Sequence, residues 1–369
     1  MEAKVLSFWE KESFNASYDV IIIGAGIVGL SSAYFYKRKH ASARVLVLER
    51  GYYPEGASTK NAGFACFGSV TELLDDMKTE HESEVKARVL RRYRGLELLR
   101  NELGASAIGF EMTGGFEIFD NEAEYDAAME HLPMFNQWLA EILSQRTVYE
   151  PTVCGPYKAI RNKLEGAVHT GKMMQALIQK ATAQGVEVRF NTPLMSYDES
   201  SVLVGGDIRL QYEKLLFATN GFTSKLIPEL KIKPARGLVF VTDPIPNLVW
   251  KGVYHYDKGY IYFRDINGRL LLGGARNLDF EGEATDEFGV NAKIKEGLLA
   301  FAERLLLLPE NWKIAYEWSG IMGFADTKSP VLKALNDHQF IAAGLGGMGV
   351  ALGMGLGKDA ASLMSMHNP

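Results

Sequence analysis

Three glycines and one acid within the first fifty residues have the spacing of a nucleotide-binding turn. Gly24, Gly26 and Gly29 follow an apolar run, and Glu49 ends a second apolar run 25 positions after Gly24. The first glycine permits a tight turn, the second lets the backbone approach a pyrophosphate, and the third allows a helix to pack closely on a strand. A carboxylate at this distance can accept hydrogen bonds from a ribose diol. These residues predict a dinucleotide site.

The elements around the glycines are those of a βαβ unit. Residues 20–23 are β-branched and apolar, as expected of a strand buried on both faces, and residues 45–48 form a second such run. An apolar helical pattern covers residues 30–36 between them. This helix would begin at the glycines, so its free N–H groups and the positive end of its dipole would face the phosphates.

Composition excludes several functional classes. The chain has 369 residues, enough for two domains, with 47% hydrophobic and 23% charged residues. A net charge of −5 gives no global basic field, so no nucleic-acid partner is expected. No apolar run approaches the length of a membrane span, and the N-terminus lacks the apolar core of a signal peptide. Cys66 and Cys154 form neither a disulfide framework nor a metal-ligand spacing. We therefore expect a cytoplasmic enzyme without a metal site.

Two further segments and one loop extend the dinucleotide pattern along the chain. The loop at residues 56–69 is rich in small residues but too apolar for a solvated linker, which favours backbone packed against a planar ligand over a flexible connection. Two more apolar strands empty into glycine-containing turns, at residues 219–221 and 344–349. The predicted fold is α/β: a Rossmann-like domain with a parallel sheet and helices, plus an α+β substrate domain with a large mixed or antiparallel sheet. The expected boundaries are 1–75, 148–228 and 325–369 for the first domain, and 76–147 and 229–324 for the second.

Two expectations concern the helical material between these segments. Arg88, Arg91, Arg92 and Arg94 cluster in a charged helical pattern, which we interpret as a solvated helix face. A second helix is predicted over residues 122–143, interrupted at Pro133 because proline cannot donate the intrahelical hydrogen bond.

The assembled pieces resemble the FAD-dependent amine and amino-acid oxidoreductases grouped around D-amino-acid oxidase, glycine oxidase and monomeric sarcosine oxidase. The matching motifs are VIIIGAGIVGLSSA with LVLER, then ASTKNAGF, LLFATNGF and FIAAGLGGMGVALG. They occur in the family's order and are spread over nearly the whole chain. Within the group, YIYFRDINGRLLLGG and the opening LSFWEK are similar to γ-glutamylputrescine oxidase-like proteins.

The resemblance implies that the dinucleotide is FAD. Lys60 stands where members with a histidyl-linked flavin carry their histidine, and no cysteine lies near the C-terminal loop, so the implied FAD is non-covalent. Arg50 would flank the adenine, and the helix after residue 349 would point at the flavin pyrimidine edge. The residues that the resemblance assigns to the cofactor are Gly24, Gly26, Ile27, Gly29, Glu49, Arg50, Ser58, Thr59, Asn61, Ala62, Gly63, Val188, Thr219, Asn220, Gly221, Gly346, Gly347, Met348, Gly349 and Val350.

The implied reaction is oxidation of a C–N bond in a small amine or amino acid. The carbon beside a neutral amine would lose a hydride to flavin N5, and the imine would hydrolyse. This chemistry needs orientation and a deprotonated amine more than a dedicated base. Leu271 stands where sarcosine oxidase-like members keep a lysine that promotes reaction with O2, so the acceptor is left open between O2 and a protein or quinone partner.

The substrate side departs from the family pattern. Met322 occupies the place where glycine oxidase-like members have an arginine for the substrate carboxylate. Arg264 is a substitute candidate, with a structural ion pair as the alternative role. Tyr260 and Tyr262 alternate along one predicted strand and so share a face. If that face covers the flavin, they would shape an aromatic pocket for an amine; the alternative is ordinary sheet packing. His169 and His255 are assigned structural roles.

Three other functions remain open at this stage. One is oxidation of an amine carried by a macromolecule, as in the RNA-modifying relatives, which a basic patch around residues 88–94 would favour. A second is a flavin-holding subunit whose catalysis needs a partner chain. The third is an NAD-linked dehydrogenase, which co-purifying flavin would exclude.

Overall fold

The computed structural model describes residues 5–144, 146–205 and 207–367. The chain divides into two compact units, each assembled from separate segments: Met1–Thr59, Gly171–Pro234 and Met322–Pro369 form the first, and Lys60–Thr170 and Ala235–Ile321 the second. Residues 60–75 and 148–170, which the sequence assigned with the glycine turn, therefore fall in the second unit. The reason for the latter segment is that two of its strands pair with the sheet of that unit.

The secondary structure alternates between the two classes along most of the chain. The strands are β1 (Tyr18–Ile23), β2 (Val45–Leu48), β3 (Phe64–Ala65), β4 (Gly115–Phe119), β5 (Tyr149–Cys154), β6 (Tyr157–Asn162), β7 (Gly166–Ala167), β8 (Glu187–Arg189), β9 (Leu194–Tyr197), β10 (Ser201–Val204), β11 (Ile208–Phe217), β12 (Lys233–Thr242), β13 (Val253–Tyr256), β14 (Ile261–Ile266), β15 (Arg269–Gly274), β16 (Ile314–Phe324), β17 (Val331–Ala334) and β18 (Gln339–Ala343). The α-helices are α1 (Ile27–Lys39), α2 (Ala57–Lys60), α3 (Val70–Asp76), α4 (Glu82–Leu103), α5 (Glu122–Leu143), α6 (Thr170–Ala183), α7 (Ala292–Leu305) and α8 (Gly349–Met366).

The first unit contains a mostly parallel sheet with β1 near its centre. The strand order is β17-β18-β11-β1-β2-β8, with β10 and β9 attached beside β11. Strands β18, β11, β1, β2 and β8 run parallel, whereas β17 is antiparallel to β18. Ile21, Ile22 and Leu46 are fully buried, as expected of parallel strands covered on both faces. The predicted Rossmann-like sheet is confirmed.

Helices α1 and α8 pack tightly against one another in this unit. A Cβ on Gly357 would lie 2.5 Å from Cβ of Ser31 and 2.9 Å from the Val28 carbonyl oxygen. Glycine at this position therefore lets the two backbones approach more closely than any side chain would allow. No helix within the described ranges is both long enough and apolar enough to cross a membrane.

The second unit contains the mixed sheet β16-β12-β15-β14-β13-β4-β6-β5. Its ladders are antiparallel where β12, β15, β14 and β13 meet, and parallel between β13 and β4. Trp250, Phe263 and Leu272 form its core with Leu298 and Phe301 of α7. An α+β unit with a large mixed sheet is what the sequence predicted.

Two helical expectations are wrong. Helix α5 continues through Pro133, because buried Leu132, Phe135 and Trp138 hold both halves of the helix on the same core and outweigh the lost hydrogen bond. In α4, Arg88 and Arg92 are buried rather than solvated, because carboxylates of the preceding segment reach them. Arg88 pairs with Asp76 and Glu80, and Arg92 pairs with Glu72 at 2.9 Å.

Candidate functional site

The glycine turn between β1 and α1 has the shape that the sequence predicts. Gly24 has φ of +105°, and a Cβ there would lie 2.7 Å from the Ala218 carbonyl oxygen. A Cβ on Gly29 would lie 1.9 Å from the Gly24 carbonyl oxygen, so both positions require glycine. Helix α1 begins at Ile27 without a hydrogen bond from the side chain of its N-cap residue, Gly26. The turn therefore presents a helix N-terminus over which bare backbone can contact an anion.

Glu49 lies beside this turn and is largely buried. Its Oε2 accepts a hydrogen bond from Ala25 N at 3.0 Å, and its Oε1 accepts one from Gly51 N at 3.1 Å. Burial raises the pKa of Glu49, while these two backbone donors act in the opposite direction. Each carboxylate oxygen accepts more than one hydrogen bond. Glu49 can therefore fasten the glycine turn and still accept a ribose hydroxyl.

Ser58, Thr59 and Arg50 surround the same turn within the first unit. Ser58 Oγ accepts a hydrogen bond from Ile27 N at 2.9 Å, so it occupies one free N–H of the helix start. Thr59 Oγ1 donates to the Gly56 carbonyl at 3.2 Å and stabilises the loop. The Arg50 guanidinium lies 4.0 Å from the centre of the Phe222 ring. The structure thus gives Arg50 an aromatic partner of its own, whereas the sequence assigned it to the adenine.

The two other glycine-containing turns are tied together by Asn220. Its Oδ1 accepts hydrogen bonds from Gly344 N at 3.2 Å and Leu345 N at 3.4 Å. Thr219 Oγ1 lies 2.9 Å from Thr223 Oγ1, which holds the turn that also contains Gly221. Because β11 and β18 are parallel neighbours, both turns follow carboxyl ends of the sheet, where α/β folds bind ligands.

Helix α8 starts at Gly349, with Met348 as its N-cap and no side-chain capping bond. Val350 is buried in its first turn, and Gly346 N donates to the Gly323 carbonyl at 2.9 Å. A Cβ on Gly347 would lie 3.5 Å from Sδ of Met322, the residue at the place of the family's arginine. Val188 pairs with Val47 of β2 and is half-buried. The first unit therefore holds two uncapped helix starts and the acid, and a dinucleotide fits these residues.

In the second unit, Asn61 and Gly63 form a turn that Arg264 fastens. Asn61 Oδ1 accepts hydrogen bonds from Gly63 N at 2.9 Å and Thr170 Oγ1 at 3.0 Å. Arg264 is 6% exposed, and its Nη1 donates to the carbonyls of Gly63 and Val168 at 2.9 and 3.0 Å. Burial lowers the pKa of Arg264, but far too little to matter for an arginine charge at neutral pH.

The predicted pair of tyrosines is wrong in one respect. Tyr262 lies on β14, but Tyr260 precedes this strand, because Asp257, Lys258 and Gly259 adopt positive φ in the turn that leads to it. The Tyr260 ring lies 6.1 Å from Phe280, whereas the Tyr262 ring lies 5.4 Å from Phe64. The two rings thus have different neighbours and form no shared aromatic pair.

Tyr262 and Arg264 lie two positions apart on β14 and share one face of the sheet. Tyr262 packs with Trp318, Ala62 and other apolar groups, and burial raises its pKa to about 12. Trp318 Nε1 donates to the Lys60 carbonyl at 2.8 Å. Phe64 and Trp318 were not assigned to the site from the sequence; the apolar character of the loop was the signal for Phe64, and none existed for Trp318.

Comparison with known proteins agrees with this geometry. The family described as "DAO: FAD dependent oxidoreductase" matches residues 19–363. The chain is 23% identical to D-amino acid dehydrogenase of Helicobacter pylori, covering 94% of both chains. It is 22% identical to sarcosine oxidase subunit beta of Rhodobacter capsulatus, covering 97% of this chain and 87% of that protein.

A solved structure shows the same fold. The structure of glycine oxidase from Geobacillus kaustophilus superposes with a TM-score of 0.77 at 20% identity, covering 96% of each chain. Similarity at this identity establishes the fold, and the match over residues 19–363 establishes the family. The chain belongs to the DAO family of FAD-dependent oxidoreductases.

Proposed function

We propose that this protein oxidises the C–N bond of a small amine or amino acid. Its relatives are named for D-amino acids and sarcosine, and the protein with the similar solved structure is named for glycine. FAD, when bound, supplies a two-electron acceptor whose N5 takes the hydride from the carbon beside the nitrogen. The substrate imine is then hydrolysed by water.

The first unit would hold FAD without a covalent bond. Gly24, Gly26, Ile27 and Gly29 would contact the pyrophosphate, and Glu49 the ribose, because these groups form a helix start with an acid beside it. The turns after β11 and β18 and the start of α8 would contact the remainder of the cofactor. Lys60 offers no imidazole for a linkage, and Cys66 is buried, with its thiol pKa raised well above the usual value by burial.

The observation that carries the substrate class is the division of labour within Arg264. Its Nε and Nη1 are bonded to backbone carbonyls, but Nη2 makes no hydrogen bond to the described part of the chain. The Tyr262 hydroxyl, on the same face of β14, also has no hydrogen-bond partner among the described residues. A fixed guanidinium nitrogen and a phenol on one face suit a substrate carboxylate. We therefore favour an amino acid over a simple amine.

The experiment that tests this function is an anaerobic titration followed by the visible spectrum. The purified protein would be mixed with D- and L-amino acids, N-methyl amino acids and simple amines. We expect bleaching of the flavin absorption by an amino acid, with little effect of its decarboxylated analogue. Bleaching by the analogue alone would contradict the proposed class, and a protein unable to take up FAD would contradict the function.

A partner-dependent enzyme is a second candidate. It is favoured by one relative's name, which describes a subunit of sarcosine oxidase. Flavin reduction by substrate that requires added cell extract would support it. The macromolecular substrate has lost its supporting feature, because Arg88 and Arg92 are buried in ion pairs and do not form a basic patch.

A further inference from the structure

Three potential metal ligands lie together inside the second unit. Cys66, Glu165 and His255 are 8%, 1% and 8% exposed, and their ligand atoms all lie within 4.8 Å of one another. Cys66 follows β3, Glu165 precedes β7, and His255 lies on β13. The sequence, which separates them widely, gave no metal-ligand spacing and predicted no metal site. The cluster is independent of the proposed amine oxidation.

Two buried nitrogens beside this cluster have no hydrogen-bond partner. His255 Nε2 lies 3.4 Å from Glu165 Oε2, outside hydrogen-bond geometry, and it contacts no other acceptor among the described residues. Asn162 is 3% exposed, and its Nδ2 is also without an acceptor in that part of the chain. Buried polar groups are almost always satisfied. Both residues line one small cavity with Glu117 and Glu165, and its interior of about 10 Å³ has room for roughly one water.

The orientation of Glu165 directs one oxygen toward His255. Glu165 Oε1 accepts hydrogen bonds from Phe67 N at 2.8 Å and Gly68 N at 3.1 Å, so this oxygen is occupied by the loop. Its Oε2 sits above Gly115, where a Cβ would lie only 2.0 Å away. Any other residue at position 115 would therefore displace Oε2 from its present place.

The charges around the cavity do not balance within the protein. Glu117 and Glu165 are both buried there, and the nearest arginine, Arg92, is paired with Glu72 at 2.9 Å. Burial raises the pKa of Glu117, although hydrogen bonds from Thr71 and Ser69 oppose the shift. Two buried carboxylates beside one imidazole call for additional positive charge.

We propose that Cys66, Glu165 and His255 bind a divalent cation of the zinc class. Thiolate, imidazole and carboxylate are the ligands that zinc takes in proteins. Two ligand atoms about 2.0–2.1 Å from a tetrahedral ion lie roughly 3.3–3.4 Å apart, and His255 Nε2 and Glu165 Oε2 have this separation. A water in the adjoining cavity would complete the coordination and accept a hydrogen bond from Asn162 Nδ2. Since the cavity has no room for a substrate, the ion would be structural and would fix the loop at residues 66–68.

A metal-free ion pair is the competing explanation. Burial disfavours a charged His255, but the neighbouring Glu165 outweighs it and raises the pKa of the histidine. An imidazolium–carboxylate pair would account for these two residues. It leaves the placement of the Cys66 sulfur and the partnerless Asn162 Nδ2 unexplained, and it predicts no metal in the purified enzyme.

The test is metal analysis of the FAD-loaded protein after dialysis, with X-ray absorption at the zinc edge. We expect about one zinc per chain, with one sulfur at about 2.3 Å and lighter atoms at about 2.0–2.1 Å. Cys66→Ser should lose the sulfur scatterer and most of the zinc. Cys154→Ser is the matched control, because Cys154 is the other cysteine and lies outside the cluster, and it should keep both. Flavin absorption reports on folding in every sample.

Two results would overturn the proposal. The first is a wild-type protein that retains no stoichiometric zinc even after incubation with zinc and dialysis. The second is bound zinc without a sulfur ligand, or zinc content unchanged in Cys66→Ser. If that variant does not fold, cobalt loading of the wild-type protein decides: a thiolate-bound tetrahedral cobalt absorbs at longer wavelengths than the flavin, and absence of these bands rejects the site.

Discussion

Arg264 combines two roles that are usually separate. Its Nη1 fixes the Gly63 turn to the Val168 carbonyl, and its Nη2 stays without a partner in the described chain. The bonds to the backbone fix the direction in which Nη2 points, so binding of a carboxylate would cost little side-chain entropy. A lysine cannot reproduce this arrangement, since one ammonium would have to serve both the carbonyls and the substrate.

Arg264→Lys should therefore raise KM for the amino-acid substrate more than it lowers kcat. A hydrogen bond to a charged group contributes about 1.5–3 kcal/mol, so we expect a rise of roughly 10- to 150-fold. Steady-state kinetics would measure it. Arg269→Lys on the adjacent strand β15 is the control, because Arg269 donates to the Thr242 carbonyl at 2.8 Å and has no proposed substrate role. Equal KM values for both variants would show that Arg264 is only structural.

Tyr262 should remain a neutral phenol across the working pH range. Burial raises its pKa from the ordinary 10.0 to about 12, so the folded protein keeps this proton where an unfolded chain has lost it. The difference in tyrosinate absorbance between wild type and Tyr262→Phe should be small up to about pH 11 in the native state. In urea-unfolded protein, the same difference should have its midpoint near pH 10.

The sign of this shift has a consequence for stability. Between about pH 10 and 12 the unfolded state binds fewer protons at Tyr262, so the free energy of unfolding falls as pH rises through this window. Below pH 10 the contribution is fully present. Tyr262→Phe cannot ionise and should lose less stability over this interval than wild type. A native difference titration already complete at pH 10 would contradict the burial of the hydroxyl.

Single residues differ in how well the sequence predicts them. The glycines and Glu49 form a local motif, so spacing alone predicts them, and the structure places Glu49 beside Ala25. Tyr260 was misplaced because the Asp257–Gly259 turn shortens the strand by one residue, which alternation alone cannot show. The cluster of Cys66, Glu165 and His255 depends on three distant segments meeting, and no local pattern contains that information.

At the scale of elements, helix α4 shows how charged residues can form part of a core. Arg92 is 4% exposed, and its Nη1 bonds both Glu72 and the Phe67 carbonyl. The chain before α4 supplies the partners, which include Asp76 and Glu80 for Arg88. A helical wheel places Arg88 and Arg92 on one face but cannot show that carboxylates from another segment neutralise them.

Arg92→Leu should destabilise the protein by about 3–5 kcal/mol, because it leaves Glu72 and a buried carbonyl without their partner. Arg94→Leu is the matched control: Arg94 is exposed on the same helix, and its replacement should stay within about 0.5 kcal/mol. Urea denaturation of FAD-loaded proteins would measure both changes. Similar stabilities for the two variants would mean that Arg92 is solvated in solution, as the sequence suggested.

Elements built on local periodicity were predictable, and those set by packing were not. The β1–α1–β2 unit combines buried apolar runs with glycines, and each signal agrees with the others. Helix α5 was expected to break at Pro133, yet its apolar face is anchored on both sides of the proline. Propensity alone cannot weigh that tertiary packing against one missing hydrogen bond.

For the whole molecule, the division into two units bears on how cofactor binding stabilises the fold. The glycine turn, Glu49 and the start of α1 all belong to the first unit. The pyrophosphate and adenosine portion of FAD would therefore be bound by residues of this unit alone. A ligand that binds only the native state stabilises it by about 2.7 kcal/mol at a concentration one hundred times its Kd.

ADP should consequently raise the Tm of the FAD-free protein by more than riboflavin does at the same excess over the protein. ADP carries the pyrophosphate that an uncapped helix start attracts, whereas riboflavin lacks it. Calorimetry of protein stripped of FAD, with FAD add-back as the reference, would measure the shifts. Adenosine, which keeps the ribose for Glu49 but has no phosphate, should give a smaller shift than ADP. A shift with riboflavin that matches or exceeds that with ADP would place the main binding energy away from the β1–α1 turn and contradict the assignment of Gly24, Gly26 and Gly29 to the pyrophosphate.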